Sequence, residues 1–409
     1  MTTATKATRT PPATETTNTA TTDSTAATAR NPPSAASRPS LPSLTGLRWM
    51  AALLVFGLHV HNFRYFGGSG GRIMTWAFGG GATGVSFFFV LSGFVLTWSA
   101  RPHDRALAFW RRRVARVYPV HLATAAIALV MACTLTRWPL PTLSQGLANV
   151  VLIHSWWGPW WQTLNPVSWS LACEAFFYAA FPALLLVLRR VGARGAAALG
   201  AISVLTVLLM AWADTHHWLG QQLSSFPAAR LPEFVLGVCT ARLVLLGRWR
   251  GPGLEASLAL AIIGYFLVPQ VSDGYPAATC PVIGFALLIP AAAVADLRGL
   301  PSLWRHRPLV RLGELSFAFY MIHLLVLRAG ISVLGNRPRF GLTTGVAVTA
   351  AAFTVSLALS WVLYEAVESP ARRLLLRRRR TSSKAGPKPP ATRPEPARTG
   401  SGAPDAGSG

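Results

Sequence analysis

Ten stretches of this sequence stay apolar for about the length that crosses a lipid bilayer. A helix rises about 1.5 Å per residue, so roughly 20 residues span the hydrocarbon core. The stretches fall near residues 46–64, 82–100, 117–136, 168–188, 196–213, 230–247, 254–270, 279–296, 314–333 and 342–366. Lipid offers no hydrogen-bond partner, so each backbone N–H and C=O must be satisfied inside its own segment, which selects the α-helix. The expected fold is all-α: a polytopic membrane bundle of about ten transmembrane helices.

Charge placement supports that reading. Only 13% of residues are charged and 52% are hydrophobic, where soluble domains run near a quarter charged. The net charge of +24 does not read as nucleic-acid binding, because the basic residues stand in short connections and tails. Residues 101–116, 189–194, 298–311 and 372–380 carry half of them, and an even number of spans puts all four on one side. An excess of Lys and Arg marks cytoplasmic loops. The expected location is the plasma membrane, multi-pass, with both termini cytoplasmic and the lipid bilayer as first partner; the basic tails also suit anionic lipid.

Residues 1–43 are rich in Thr, Ala, Pro and Ser and cannot bury a core, so a disordered tail is expected there. No apolar run follows a basic start before residue 47, so no signal peptide is expected. Residues 376–409 read as a second disordered tail, strongly basic. One membrane domain, residues 44–375, lies between them. Within it, residues 66–81 read as a glycine-rich outer loop. Residues 142–157, followed by further tryptophans to Trp161, read as an interfacial helix with an aromatic belt. The cysteines Cys133, Cys173, Cys239 and Cys280 stand singly in or beside apolar runs, which suits core residues and not a disulfide framework or metal site.

Some polar residues sit where lipid makes them costly. Arg48 and His59 are eleven residues apart, so they share a stripe of the first helix, separated by roughly 16 Å. His59 lies past the middle of its span. It either hydrogen-bonds a neighbouring helix or does chemistry. Glu174 lies about two turns into the fourth span, the only carboxylate placed deep in any span, with Ser170 four residues before it on the same face. It is either a protonated carboxyl holding two helices together or a group that orients a histidine or binds a hydroxyl. His121 and His323 read as structural hydrogen-bonders, and Trp169 and Tyr178 equally as packing aromatics. Four arginines stand within six residues in FWRRRVARVYP. They set topology, yet guanidinium groups also grip phosphates in bidentate fashion.

Taken together, several motifs resemble the acyltransferase-3 family of integral membrane O-acyltransferases. TGLRWMAALLVFGLH is similar to the family's opening, with Arg48 and His59. GVSFFFVLSGFVLTW resembles its second-span signature. FWRRRVARVYPVH resembles its arginine motif, with Arg112, Arg113 and Arg116. NPVSWSLACEAFFYAAFP resembles its WSLxxE element, with Trp169, Ser170, Glu174 and Tyr178. RLPEFVLG, LGELSFAFYMIH and YEAVESPARR resemble later landmarks, so the likeness covers about residues 41–375. Thr45 stands where many members have Asp, and Ala175 where a second acid is common, so roles tied to those positions do not carry over. The likeness is to the single-domain type. The variant LPSLTGLR and the Ala-, Arg- and Pro-rich composition are closest to actinobacterial antibiotic-tailoring members.

The resemblance implies transfer of an acyl group from acyl-CoA, with acetyl-CoA as the expected co-substrate and no permanently bound cofactor. The implied acceptor is a hydroxyl of a macrolide-type natural product or a carbohydrate. Arg48, Arg112, Arg113 and Arg116 would hold the phosphates of CoA. His59 would act as general base, with Glu174 orienting it or binding the acceptor, and Ser170, Trp169 and Tyr178 would line the substrate site. An acyl-histidine relay is a variant of the same scheme. The rival reading is a proton-coupled transporter of a small molecule or glycan precursor, since intramembrane His and Glu also build proton relays. The charged sites show no inverted-repeat symmetry, which argues against it.

Overall fold

The computed structural model describes residues 38–101, 104–135, 138–216, 223–271 and 275–376. The expected disorder of residues 1–37 and 377–409, the arginine run 377–380 and the placement of His217 lie outside the described residues.

Helices begin where the sequence supplies a residue suited to an N-terminal turn. α1 (Pro42–Asn62) and α8 (Pro227–Leu245) start on proline, whose missing N–H costs nothing in the first turn. Between them run α2 (Gly68–Phe78), α3 (Thr83–Ser99), α4 (Ala106–Thr134), α5 (Leu143–Val150), α6 (Trp169–Arg190) and α7 (Ala193–Thr215). α9 (Leu254–Leu267), α10 (Pro276–Thr279), α11 (Val282–Leu297), α12 (Arg307–Leu334) and α13 (Leu342–Leu363) follow. A π-helical turn, Tyr364–Glu368, then leads into α14 (Ser369–Leu376).

Among the described residues, seven of the expected ten segments are long and apolar enough to cross a membrane by length and composition. The sixth expected span is α8, which carries Arg230, Glu233 and Arg242. The seventh and eighth are α9, extended to Gln270, and α11, both shorter. Residues 66–81 are not a loop: most of them form α2, whose Trp76 stacks on Phe266. The arginine segment is not a loop either. α4 begins at Ala106, so Arg111–Arg116 lie on its first turns and Pro119 is inside it. The interfacial segment is helical only over α5 and continues in two 3-10 turns, His154–Trp156 and Gly158–Trp160. Cys173 and Cys239 are buried, Cys280 is half-buried and Cys133 is exposed; all four are free thiols.

α1 packs between α12 and α3, α3 packs on α8, α8 on α7, α9 on α11 and α13 on α12. The α3–α8 crossing is close because both helices present glycine there. A methyl group on Gly93 would overlap the Phe234 carbonyl, and one on Gly237 would overlap the Val90 carbonyl. Small residues let backbones approach and gain dispersion contact in lipid. Neither backbone can give way as a side-chain tip does, so Gly237→Val is expected to cost more than the about 1–3 kcal/mol of ordinary overpacking. The measurement is the folded, monodisperse fraction on size exclusion, set against Gly253→Val, where a Cβ meets open space.

The bundle has a basic end. There Arg189 donates to the Arg101 carbonyl, and Arg242 donates to the carbonyls of Arg189 and Val191. Ser43 donates to Asp296, which also pairs with Arg305 at 3.4 Å. These bonds gather the starts of α1, α4 and α12 with the ends of α3, α6, α8 and α11. At the opposite end, the chain after α1 runs beside the chain before α13, with Phe340 donating to the Tyr65 carbonyl and Gly67 to that of Phe340.

Glu174 is not the only deep carboxylate. Glu233 is fully buried in α8 and pairs with Arg230 at 2.9 Å. Glu368, at the end of the π turn, is also buried. Neither was singled out from the sequence.

Candidate active site

Toward the basic end, four helices aim polar side chains into one cavity of about 120 Å³. α1 supplies Arg48. α4 supplies Arg113 and Arg116, three residues apart and so on one face. α6 supplies Ser170, Glu174 and Tyr178 from a single stripe at four-residue intervals. α12 supplies Tyr320. The other walls are mainly apolar, with Phe88, Phe89, Leu91 and Val95 of α3, and add the hydroxyl residues Ser92 and Ser316.

The carboxylate of Glu174 is held from two sides. The Tyr178 hydroxyl donates to it at 2.5 Å. Arg116, Arg48 and Arg113 lie within electrostatic reach of it. Glu368 faces Arg116 and Arg48 as well, aimed inward by the π turn. Three guanidinium groups therefore meet two carboxylates, which leaves the cavity suited to an anion. The Tyr320 hydroxyl donates to the Val167 carbonyl at 3.2 Å and lies 2.9 Å from the Ser170 hydroxyl.

Three residues expected at the site stand elsewhere: Arg112, Trp169 and His59. Arg112 turns away from the cavity and pairs with Asp104. Trp169 stands behind the wall, edge-on to Phe89 and Trp161. His121 bonds the Asn149 carbonyl through Nε2 at 3.0 Å, tying α4 to α5.

His59 is not among the cavity's lining residues, and Glu174 does not orient it. Its partner is His323 of α12: His59 Nδ1 lies 3.0 Å from His323 Nε2. His323 Nδ1 lies 3.1 Å from the Phe319 carbonyl. A carbonyl only accepts, so Nδ1 of neutral His323 carries the proton and its Nε2 is a lone pair. His59 Nδ1 must then donate to that lone pair. The chain of bonds leaves His59 Nε2 unprotonated, the state a general base needs. His323 is fully buried and its ring lies nearly parallel to that of Phe319, at 5.8 Å, so the relay is rigidly seated. Tyr320 links the two regions. It lines the arginine cavity, and its ring stands 5.9 Å from that of His323, one turn further along α12. Sequence reasoning had both histidines in mid-span and missed their pairing. Among the described residues, no group of three His, Cys, Asp or Glu side chains is placed to hold a metal ion.

Comparison with known proteins bears on this arrangement. The family model for an acyltransferase domain matches residues 41–365. The chain is similar to acyltransferase MdmB of Streptomyces mycarofaciens, 38% identical over 86% of this chain and 95% of that protein. It is 28% identical to the exopolysaccharide production protein ExoZ of Rhizobium meliloti, over 75% of this chain and 94% of that protein. A shorter match, 35% of this chain and 24% of the relative, is 29% identical to peptidoglycan O-acetyltransferase OatA of Listeria monocytogenes. No solved structure matches the chain.

Proposed function

Because the chain belongs to the acyltransferase family whose model covers residues 41–365, we propose that it transfers a short acyl group from acyl-CoA to a hydroxyl of a macrolide-type natural product or a carbohydrate. The observation that carries this reading is the hydrogen-bonded pair of His59 and His323, with His323 one helical turn along α12 from Tyr320 of an arginine-lined cavity.

The cavity would take phosphate. Arg48, Arg113 and Arg116 converge there, and planar guanidinium forks match phosphate oxygens. Arg112, engaged by Asp104, contributes less than the sequence suggested. The acyl-bearing arm would then pass Ser170 and Tyr320 toward His59. His59 Nε2 takes the proton of the acceptor hydroxyl as that oxygen attacks the thioester carbonyl. The ester C–O bond forms, the C–S bond breaks, and the departing thiolate receives the proton back from His59. The basic end would face the cytoplasm, where acyl-CoA is made, with the protein in the plasma membrane.

Incubating the purified full-length chain with acetyl-CoA and a panel of macrolides and glycans tests the reading. Release of CoA thiol together with an acetylated product is the expected result; no release with any acceptor, from protein that binds acetyl-CoA, would sink it. His323 is a positioning residue in this scheme. His323→Ala is expected to lower kcat by about 10- to 100-fold, the usual cost of removing a group that orients an imidazole. His323→Gln, whose side-chain carbonyl can still accept from His59 Nδ1, should recover much of it. An unchanged KM for acetyl-CoA would separate this role from a general loss of structure.

A further inference from the structure

A second cavity, of about 390 Å³, lies across His323 from the first. Two helices fix that relation. On α12, Tyr320 lines the arginine cavity, His323 comes next, and Leu325 and Arg328 line the second cavity. Eight residues separate Tyr320 from Arg328, about 12 Å along the axis. On α4, Arg113 to Val117 border the first cavity and Ala128 to Ala132 the second. The two cavities therefore lie at successive levels along the same two helices, with His323 between them on α12. Arg328 is also the fixed positive charge within electrostatic reach of His59.

The walls of this cavity are rich in donors. Arg328 lies over the Trp138 ring, 4.1 Å from its centroid. Among the described residues it has no carboxylate at ion-pair distance. Its Nε and the Trp138 indole N–H are enclosed and lack hydrogen-bond partners. Gln145 spends its carbonyl oxygen on the capping box of α5, which leaves its NH2 to donate. Gln162 and Thr163 complete the wall, and Asn149 pins that segment by donating to the Thr163 carbonyl at 2.8 Å. Buried donors without acceptors are costly, so a ligand that fills this space with oxygen atoms relieves a standing cost. The volume is that of a small-molecule site.

We infer that this cavity binds the hydroxyl-bearing acceptor, an oxygen-rich ring compound of the sugar class, and presents its hydroxyl to His59 from the side of His323 away from the arginine cavity. The inference rests on the acyl-transfer reading above and adds a place and a chemistry for the second substrate. Arg328 and Trp138 are the anchoring pair: each supplies a donor that no described residue satisfies. An acceptor bound here meets the thioester at His59 without passing the arginine cavity, so the two substrates do not compete for one entrance.

The experiment uses the full chain with acetyl-CoA and two acceptor probes, erythromycin A and chitotetraose. Initial rates are measured for the wild type, Arg328→Met and Trp138→Phe. Thermal unfolding of each variant in detergent is followed in parallel. Arg328→Met keeps the length of the side chain and removes its donors; Trp138→Phe keeps a ring and removes the N–H. Each is expected to raise the acceptor KM about tenfold, the usual consequence of leaving one polar contact unmade. The KM for acetyl-CoA and the unfolding temperature should stay at wild-type values, which shows that donor binding and the fold are intact. Wild-type acceptor KM in both variants would overturn the site while leaving the acyl-transfer reading intact. A rise in acetyl-CoA KM equal to that for acceptor would overturn it too, by placing the cavity on the donor path. Failure of the wild type to acetylate either probe, with acetyl-CoA bound, would remove the function reading and this inference with it.

Discussion

His59→Ala is expected to reduce acyl transfer by about 10³-fold, within the 10²–10⁴ range that a positioned proton acceptor contributes, while the protein still inserts and binds acetyl-CoA. The reason is that the alanine removes the lone pair at Nε2 and leaves its support intact. His323 keeps its bond to the Phe319 carbonyl and its stack on that ring. The arginine cavity, one turn away on α12, loses no lining residue. Binding and chemistry should therefore separate: acetyl-CoA affinity near wild type, turnover nearly gone. His59→Gln makes a second check, because it fills the space and can still donate toward His323 but cannot accept and return a proton in the same way. Equal turnover in wild type and both variants would show that the imidazole is not the base. A matching loss of acetyl-CoA binding in both would show that its role is to hold the bundle together.

The largest effect on stability is expected at a pair that does no chemistry. Arg230 and Glu233 sit three residues apart on α8, 3% and 0% exposed, with 2.9 Å between Nε and the carboxylate. The guanidinium also donates to the Ser86 hydroxyl at 2.9 Å and lies over the rings of Phe89 and Tyr275, at 5.1 and 5.3 Å. Removing one member of a buried pair strands the other charge, at about 3–5 kcal/mol, whereas replacing both with apolar residues of similar size is often close to neutral. Arg230→Ala is thus expected to leave little folded protein, and Arg230→Met with Glu233→Leu to recover much of it. Thermal unfolding in detergent compares them. If the double variant were no more stable than the single one, the pair would be holding the helices through directional bonds, and charge balance would be the wrong explanation.

The helices were readable because apolar length is a one-dimensional property. Arg48 was singled out by its eleven-residue spacing to His59, Ser170 and Glu174 by their four-residue spacing, and Arg113 and Arg116 by the arginine run; Tyr178 came to the site only with the family resemblance. What remained hidden was mostly the pairing between elements. His59 and His323 lie 264 positions apart, and no periodicity tells one helix which neighbour its histidine will meet. Glu174 was matched to His59 on chemical grounds; the fold gives it Tyr178 and the arginines instead. Glu233 carried a readable signal, the arginine three residues before it, which marks a local ion pair and not a stray surface charge. α2 was missed because seven glycines in residues 67–81 argue against a helix on propensity alone, and packing overrode them.

Between α13 and α14 the backbone widens into the π turn Tyr364–Glu368, and both the turn and α14 lie against α4. Each residue of an α-helix advances the chain by about 100°, so one residue more or fewer rotates everything after it by that angle. Removing a single residue from this turn would swing Glu368 off the face that looks at Arg48 and Arg116 without altering any side chain that lines the cavity. The negative charge opposing those arginines is thus set by chain length as well as by residue type. Lineages of this fold could weaken or strengthen their hold on an anion through one-residue insertions and deletions here, a dial that substitution maps of the cavity itself would never register.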